Sequence, residues 1–272
     1  MSYCSPNRED QKLTCFSKES LLKIARAYNE SHSDKIKIND NKVKLWYSIR
    51  EKMSNKCKEE VCWIDQNFVK KLKDKEINQY TFKPKKPDSW KYNKFEWLST
   101  SDINMVMKQY EKKYDDFFFI GPVPLDCYYG SSLRCELTNL KLKSFINSGL
   151  KNLGIIYNLD YSYQDGSHWV SFFLSLNDNK MTYFDSVGSP PPIEIVTLMN
   201  SYKNQLNDLG INIDIEINKK QHQKKNSECG VYSMNFIIER LKGKTLKDIN
   251  KKRIPDEVMN EMRNILYRNS NK

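Results

Sequence analysis

Histidine is scarce in this sequence: there are three in 272 residues, His32, His168 and His222. Chemistry that needs an imidazole base can draw only on these. No apolar stretch approaches the ~20 residues of a membrane span, so membrane insertion is not expected. The opening residues, Met1 to Arg8, are polar and lack the apolar centre of a secretory signal. The seven cysteines are odd in number and show no tight paired spacing, which points to free thiols in a reducing intracellular compartment. No internal repeat or long low-complexity segment is present.

What is there suits a soluble globular chain: 39% hydrophobic and 29% charged residues, with a formal net charge of +11. The charge is unevenly spread. Residues 1–95 hold 22 Lys+Arg against 13 Asp+Glu, whereas the remainder holds 23 against 21. A basic N-terminal domain over 1–95 is therefore expected, with a linker near 82–95 where Pro84 and Pro87 sit among lysines. Within it, Ser17 caps a helix without completing a capping box, because Ser20 stands three residues on. Apolar positions at helical spacing continue through Leu21 and Ile24, and recur over 43–53 and 61–69, so a small all-helical module is predicted. Cys57 and Cys62 have a C-x4-C spacing, but no second ligand pair completes a zinc site, and no metal is assigned. The basic surplus fits nucleic acid or an acidic partner, yet lysines mixed with carboxylates also make an ordinary solvated face.

The segment from His222 to Ser233 carries the most information. Gln223 lies six residues before Cys229, which is followed by Gly230 and an apolar helical run. A helix N-terminus favours thiolate, glycine admits close backbone approach, and an amide donor can meet a developing oxyanion. A buried cysteine that merely opens a core helix reads the same way locally. The pattern needs a base. His168 stands in a polar turn, Asp165-Gly166-Ser167-His168-Trp169, leading into the strand-like run 170–176. A break at Asp178 and Asn179 precedes a second strand that ends at Asp185, so a hairpin is predicted. Antiparallel pairing sets the start of the first strand beside the end of the second, where a carboxylate can orient an imidazole. His168, Asp185, Gln223 and Cys229 then supply base, orienter, oxyanion donor and nucleophile. His222, on a polar loop seven residues before Cys229, is assigned a supporting role or none.

The blocks Gly166-Ser167-His168-Trp169, Tyr183-Phe184-Asp185-Ser186, and Gln223 followed by Glu228-Cys229-Gly230 resemble those of the ubiquitin-like-protein-specific (SUMO-type) cysteine proteases. The likeness is greatest to members that process virion polyproteins, those of African swine fever virus and similar large-DNA-virus core proteases. It covers roughly residues 96–240 in four short blocks. One position departs: Asp185 stands where the swine fever enzyme has asparagine, and either side chain orients an imidazole. The resemblance implies an α+β fold with a papain-like core in circularly permuted His-Asp-Cys order, occupying 96–272 after the helical N-terminal domain. It implies a cysteine endopeptidase that needs no cofactor and cuts after Gly-Gly in structural polyproteins, in the host cytoplasm (virus factory) and virion. It also implies that Trp97 and Trp169 wall a narrow substrate cleft, although Trp97 reads equally as a core anchor at a helix start. Partners would be the polyprotein, a ubiquitin-like modifier, or a virion nucleoprotein docked on the basic domain.

Other readings stay open. A deSUMOylating isopeptidase would use the same site on a modifier conjugate. An effector-type acyltransferase shares the His-acid-Cys order but should carry a basic inositol-phosphate site, and no ordered basic cluster supplies one. A non-catalytic descendant should have lost one of the four groups, and none is missing.

Overall fold

The computed structural model describes residues 3–8, 12–129, 137 and 140–269. Two compact units divide the chain: Met1–Asp88 with Ile265–Lys272, and Ser89–Asn264.

The first unit is helical. α1 (Lys18–Ser31) starts where the Ser17 side chain accepts from the Ser20 N–H at 3.0 Å. Its buried stripe, Leu21, Ile24, Ala25 and Tyr28, shares one core with Leu45, Trp46, Ile49 and Met53 of α2 (Lys42–Met53). The third expected helical face, over 61–69, is instead a 3-10 turn, Glu60–Asp65, followed by the single-turn α3 (Asn67–Lys70) and then α4 (Lys75–Gln79). Glu60 is buried there and accepts from the Thr14 hydroxyl, the Cys15 N–H and the Trp46 indole N–H, so its carboxylate ties three segments together.

Two expectations are corrected in this unit. Cys4 is bonded to Cys15 and Cys57 to Cys62, and Cys127 of the second unit is also in a disulfide. Among the described cysteines only Cys229 is a free thiol. An odd total therefore says nothing against pairing once one cysteine is set aside. The proline-lysine stretch is not an open linker either. Phe82 is buried in the first unit's core, Lys83 N–H bonds Tyr3 O, and Lys85 pairs with Arg268 in a parallel bridge, with Lys86 N–H bonding Arg268 O and Arg268 N–H bonding Pro84 O. Proline and lysine mark extended backbone as readily as a flexible tether. The division falls at Asp88, and residues 265–272 belong with the first unit.

The second unit opens with α5 (Thr100–Lys113), held by a full capping box between Ser99 and Asp102. β1 (Phe117–Pro124), α6 (Leu142–Asn147), β2 (Asn152–Asn158), β3 (Trp169–Ser175) and β4 (Lys180–Phe184) follow. Then come α7 (Ile193–Asn207), β5 (Asp214–Ile217), α8 (Cys229–Leu241), α9 (Leu246–Ile249) and α10 (Asp256–Leu266). The strands form one sheet in the order β1-β2-β3-β4-β5, parallel at its two outer pairs and antiparallel at β2-β3 and β3-β4. One face, with Ile155, Phe172 and Tyr183, packs on Leu198 and Tyr202 of α7. The other lies against α8, where Phe184 stacks on Phe236 with ring centroids 4.5 Å apart. Burial on both faces explains why β3 is apolar without alternation.

The predicted hairpin is present, with Ser171 opposite Phe184 and the left-handed Asn179 in its turn. β2 is a strand that sequence reading omits. It lies between β1 and β3, buried on both sides, so it offers no periodicity to separate it from other apolar runs. β1 reaches Pro124 through a register irregularity between Ile120 and Pro122.

Candidate active site

His168 leads into β3 from a loop pinned at several points. Gly166 N–H and the Ser167 hydroxyl bond the Asp160 carboxylate, and Ser167 N–H bonds the Asn158 side chain. Gly166 has φ +98, and a Cβ there would lie 2.4 Å from Asn158 Nδ2, so glycine is needed for both reasons. Asp185 follows β4 and is fully buried. Because Ser171 is paired with Phe184, the two strand ends lie side by side, and His168 Nε2 reaches Asp185 Oδ1 at 2.7 Å. That carboxylate oxygen also accepts from Val187 N–H at 2.9 Å, and Asn218 Nδ2 donates to the Asp185 carbonyl at 2.6 Å.

Cys229 is the first residue of α8 and is 2% exposed. Its side chain lies close enough to His168 to act, with Asp185, on the charge of the ring. With Nε2 committed to Asp185, Nδ1 is the ring nitrogen left for the thiol. Burial works to lower the His168 pKa, but the bond to Asp185 and the charges of Cys229 and Asp185 outweigh it and raise it to about 10. The ring is therefore held as imidazolium near the sulfur at the N-terminus of α8. Asp185, His168 and Cys229 are thus brought into one chain of contacts able to activate a sulfur nucleophile and return a proton to a leaving group.

Gln223 is buried and tied to the residue after Asp185: its N–H bonds the Ser186 carbonyl, and its Oε1 accepts from the Ser186 hydroxyl at 2.6 Å. Its Nε2 donates one hydrogen to Lys225 O at 2.6 Å, which leaves the second amide hydrogen for a ligand. His222 points elsewhere. Its Nδ1 accepts from Ile254 N–H and its Nε2 meets Asn250 Oδ1, while burial above all lowers its pKa. It is a neutral latch, and His32 stacks on Tyr28 in the first unit.

The two tryptophans differ. Trp169 is buried, donates its indole N–H to Leu98 O at 3.1 Å, and packs against Gly230. A Cβ on Gly230 would come within 3.2 Å of both Leu98 and Trp169, so this glycine brings the start of α8 against both. Trp97 is 44% exposed, next to Leu98, and has surface to offer a ligand. Sequence reasoning did not identify Ser186 as the anchor of Gln223, nor Arg263 and Asn260 as partners of Glu228. Those partners lie 32 to 37 residues away and leave no local signal.

Residues 156–272 match the family model described as the Ulp1 protease family, C-terminal catalytic domain. Along almost its whole length the chain is similar to a thiol protease of Acanthamoeba polyphaga mimivirus, 34% identical over 291 residues that cover 99% of this chain and 94% of that one. A SUMO-1 cysteine protease of African swine fever virus is 31% identical over 118 residues, 42% of this chain and 43% of that one. The crystal structure of an African swine fever virus protease superposes with a TM-score of 0.72 at 22% identity, covering 99% of this chain and 96% of that one.

Proposed function

The chain belongs to the Ulp1 family of cysteine proteases, and from that premise we propose that it cuts peptide bonds after Gly-Gly-type motifs in the structural (core or capsid) polyprotein of a large DNA virus. The observation that carries this reading is the Asp185, His168 and Cys229 chain of contacts at the start of α8, with Trp169 packed on Gly230 beside it. We read the exposed Trp97 and the buried Trp169 as walls of the substrate cleft, an arrangement that would suit glycine because a Cβ on the substrate would meet a ring. Relatives in large DNA viruses support a viral setting. The host cytoplasm and the virion are the sites of action we propose, with the basic N-terminal region docking on a precursor or nucleoprotein.

In this mechanism the Cys229 thiolate attacks the scissile carbonyl, a C–S bond forms, and the carbonyl electron pair moves onto oxygen. The oxyanion is met by the Cys229 N–H and by Gln223 Nε2. Collapse breaks the C–N bond as protonated His168 gives its proton to the leaving amine. Neutral His168 then takes a proton from water, whose oxygen attacks the thioester and expels the thiolate. Asp185 holds the ring tautomer throughout.

The SUMO-1 protease name of one relative favours a second reading, an isopeptidase acting on a ubiquitin-like modifier. The full chain and Cys229→Ala should be compared on a fluorogenic Gly-Gly peptide amide and on an intact SUMO precursor. Turnover of the peptide by the parent and none by the variant is expected, and equal turnover by both would remove the site. Peptide cleavage without precursor cleavage favours the polyprotein, and efficient precursor cleavage favours the modifier. Changing the substrate glycine before the cut to alanine should abolish cleavage; retained cleavage would refute the Gly-Gly requirement.

A further inference from the structure

Glu228 lies immediately before Cys229, in the N-cap position of α8. A side-chain oxygen there ordinarily accepts a hydrogen bond from the first-turn amides. Glu228 makes no such bond. Its Oε2 instead accepts from Arg263 Nε at 2.9 Å, and its Oε1 from Asn260 Nδ2 at 2.9 Å and the Ser227 hydroxyl at 3.2 Å. Arg263 Nη2 donates further to the Ser227 carbonyl at 3.3 Å, and its guanidinium lies 4.7 Å from the Trp90 ring centroid. Both members of the ion pair are almost wholly buried, with side-chain exposures of 4% and 1%. Meanwhile the backbone N–H groups of Cys229 and Gly230 have no acceptor among the described residues.

The same helix holds the neighbouring parts of the site. Asn260 Nδ2 donates also to Lys94 O at 3.0 Å, three residues before Trp97. One turn earlier, Asp256 accepts from the N–H groups of Lys224 and Lys225, which directly follow Gln223. The spacing 256, 260, 263 puts these three residues on one face of α10. A buried ion pair is a poor source of net stability, because desolvating both charges offsets their attraction. Its value here is geometric and electrostatic. Arg263 draws the carboxylate off the amides and neutralises a negative charge that would otherwise oppose an oxyanion nearby.

We infer that Asn260 and Arg263 of α10, acting through Glu228, are positioning residues that keep the oxyanion-binding amides of the nucleophile turn open and fixed. The inference rests on reading Cys229 as the nucleophile. It does not depend on which peptide is cut.

Two reagents for the Cys229 sulfur separate this role from a merely structural one. Iodoacetamide forms an S–C bond with loss of iodide and no oxyanion. The ester p-nitrophenyl acetate acylates the same sulfur through a tetrahedral oxyanion and releases p-nitrophenolate. Both rates should be measured on the full chain and on Glu228→Gln, Asn260→Ala and Arg263→Lys, with adducts located by mass spectrometry. Alkylation should stay within about threefold of the parent while acylation falls about tenfold or more, short of the ~10²–10³ lost with a whole oxyanion donor. The ratio of the two rates corrects for any misfolded fraction, and Asn260→Ala, at a half-buried position, guards against outright unfolding. A ratio unchanged in all three variants, whether both rates fall together or neither moves, overturns the proposal. Inertness of the parent toward Gly-Gly peptides would count against the proposed function and leave this ratio measurable.

Discussion

His168 is under opposed pressures: burial favours the neutral ring, while Asp185 and Cys229 favour the charged one and prevail, lifting its pKa to about 10. A group whose pKa is raised on folding stabilises the native state fully below its unfolded value, here 6.5, and loses that contribution as pH rises through about 10. Stability should therefore decline across that window in the parent and decline less in His168→Gln, as followed by chemical denaturation at several pH values. Equal slopes in the two proteins would contradict the assignment. The alkaline limb of peptide hydrolysis should likewise fall near pH 10, where His168 stops donating to the leaving amine. Asp185→Asn keeps a hydrogen-bonding side chain but removes its charge, so that limb should move toward lower pH, and a limb that stays put would show that Asp185 does not act on the ring. Gln223→Ala should lower kcat more than it raises KM, since the amide is asked to act on the oxyanion; a pure KM effect would assign it to substrate binding instead. His168, Asp185 and Cys229 could be singled out because each falls at a strand or helix end that local pattern predicts, whereas Gln223 lies in the loop before α8 and was picked out only by its spacing from Cys229. The Ser186 bond that fixes Gln223 was not, because nothing in a serine distinguishes an anchor from a solvated hydroxyl.

Among the elements, β3, β4 and α8 could be read from the sequence, since a hairpin break or a helical stripe bounds each of them. β2 could not. Its core face packs toward α7 and its other face includes Gly154, where a Cβ would lie 2.9 Å from the Phe117 ring and 3.3 Å from Ile237. Gly154→Ala should cost about 1–3 kcal/mol by overpacking, and pairing it with Phe117→Leu should recover part of that loss. Urea denaturation of the two variants checks this, and an unaffected single variant would mean that the contact relaxes freely. α10 shows the converse difficulty. Asp256, Asn260 and Arg263 look like the polar face of a surface helix, yet Asp256 and Arg263 are buried against backbone and carboxylate partners far away in sequence. Polar residues at helical spacing carry no mark that tells a solvated face from a fully bonded one.

Over the whole molecule, the chain divides at Asp88, inside the 82–95 stretch where charge and proline content place a join, but composition misjudged the thiols. The Pro-Lys stretch packs through Phe82, and the last residues return to the first unit. The Cys4–Cys15 bond closes a short loop in a small helical unit, where a crosslink limits the unfolded chain and is worth about 2–4 kcal/mol. Replacing both cysteines by serine should lower the thermal stability of that unit by a corresponding amount; an unchanged melting temperature would mean the bond constrains nothing. The central claim concerns the second unit, where one free thiol, one raised histidine and one buried carboxylate meet. It is tested most directly by a Gly-Gly peptide carrying a thiol-reactive vinyl ester, with the adduct mapped by mass spectrometry in the parent and in His168→Ala. The account predicts a single adduct on Cys229 in the parent and its near-complete loss in the variant. Labelling at equal rates in both proteins, or on no cysteine in either, would contradict it.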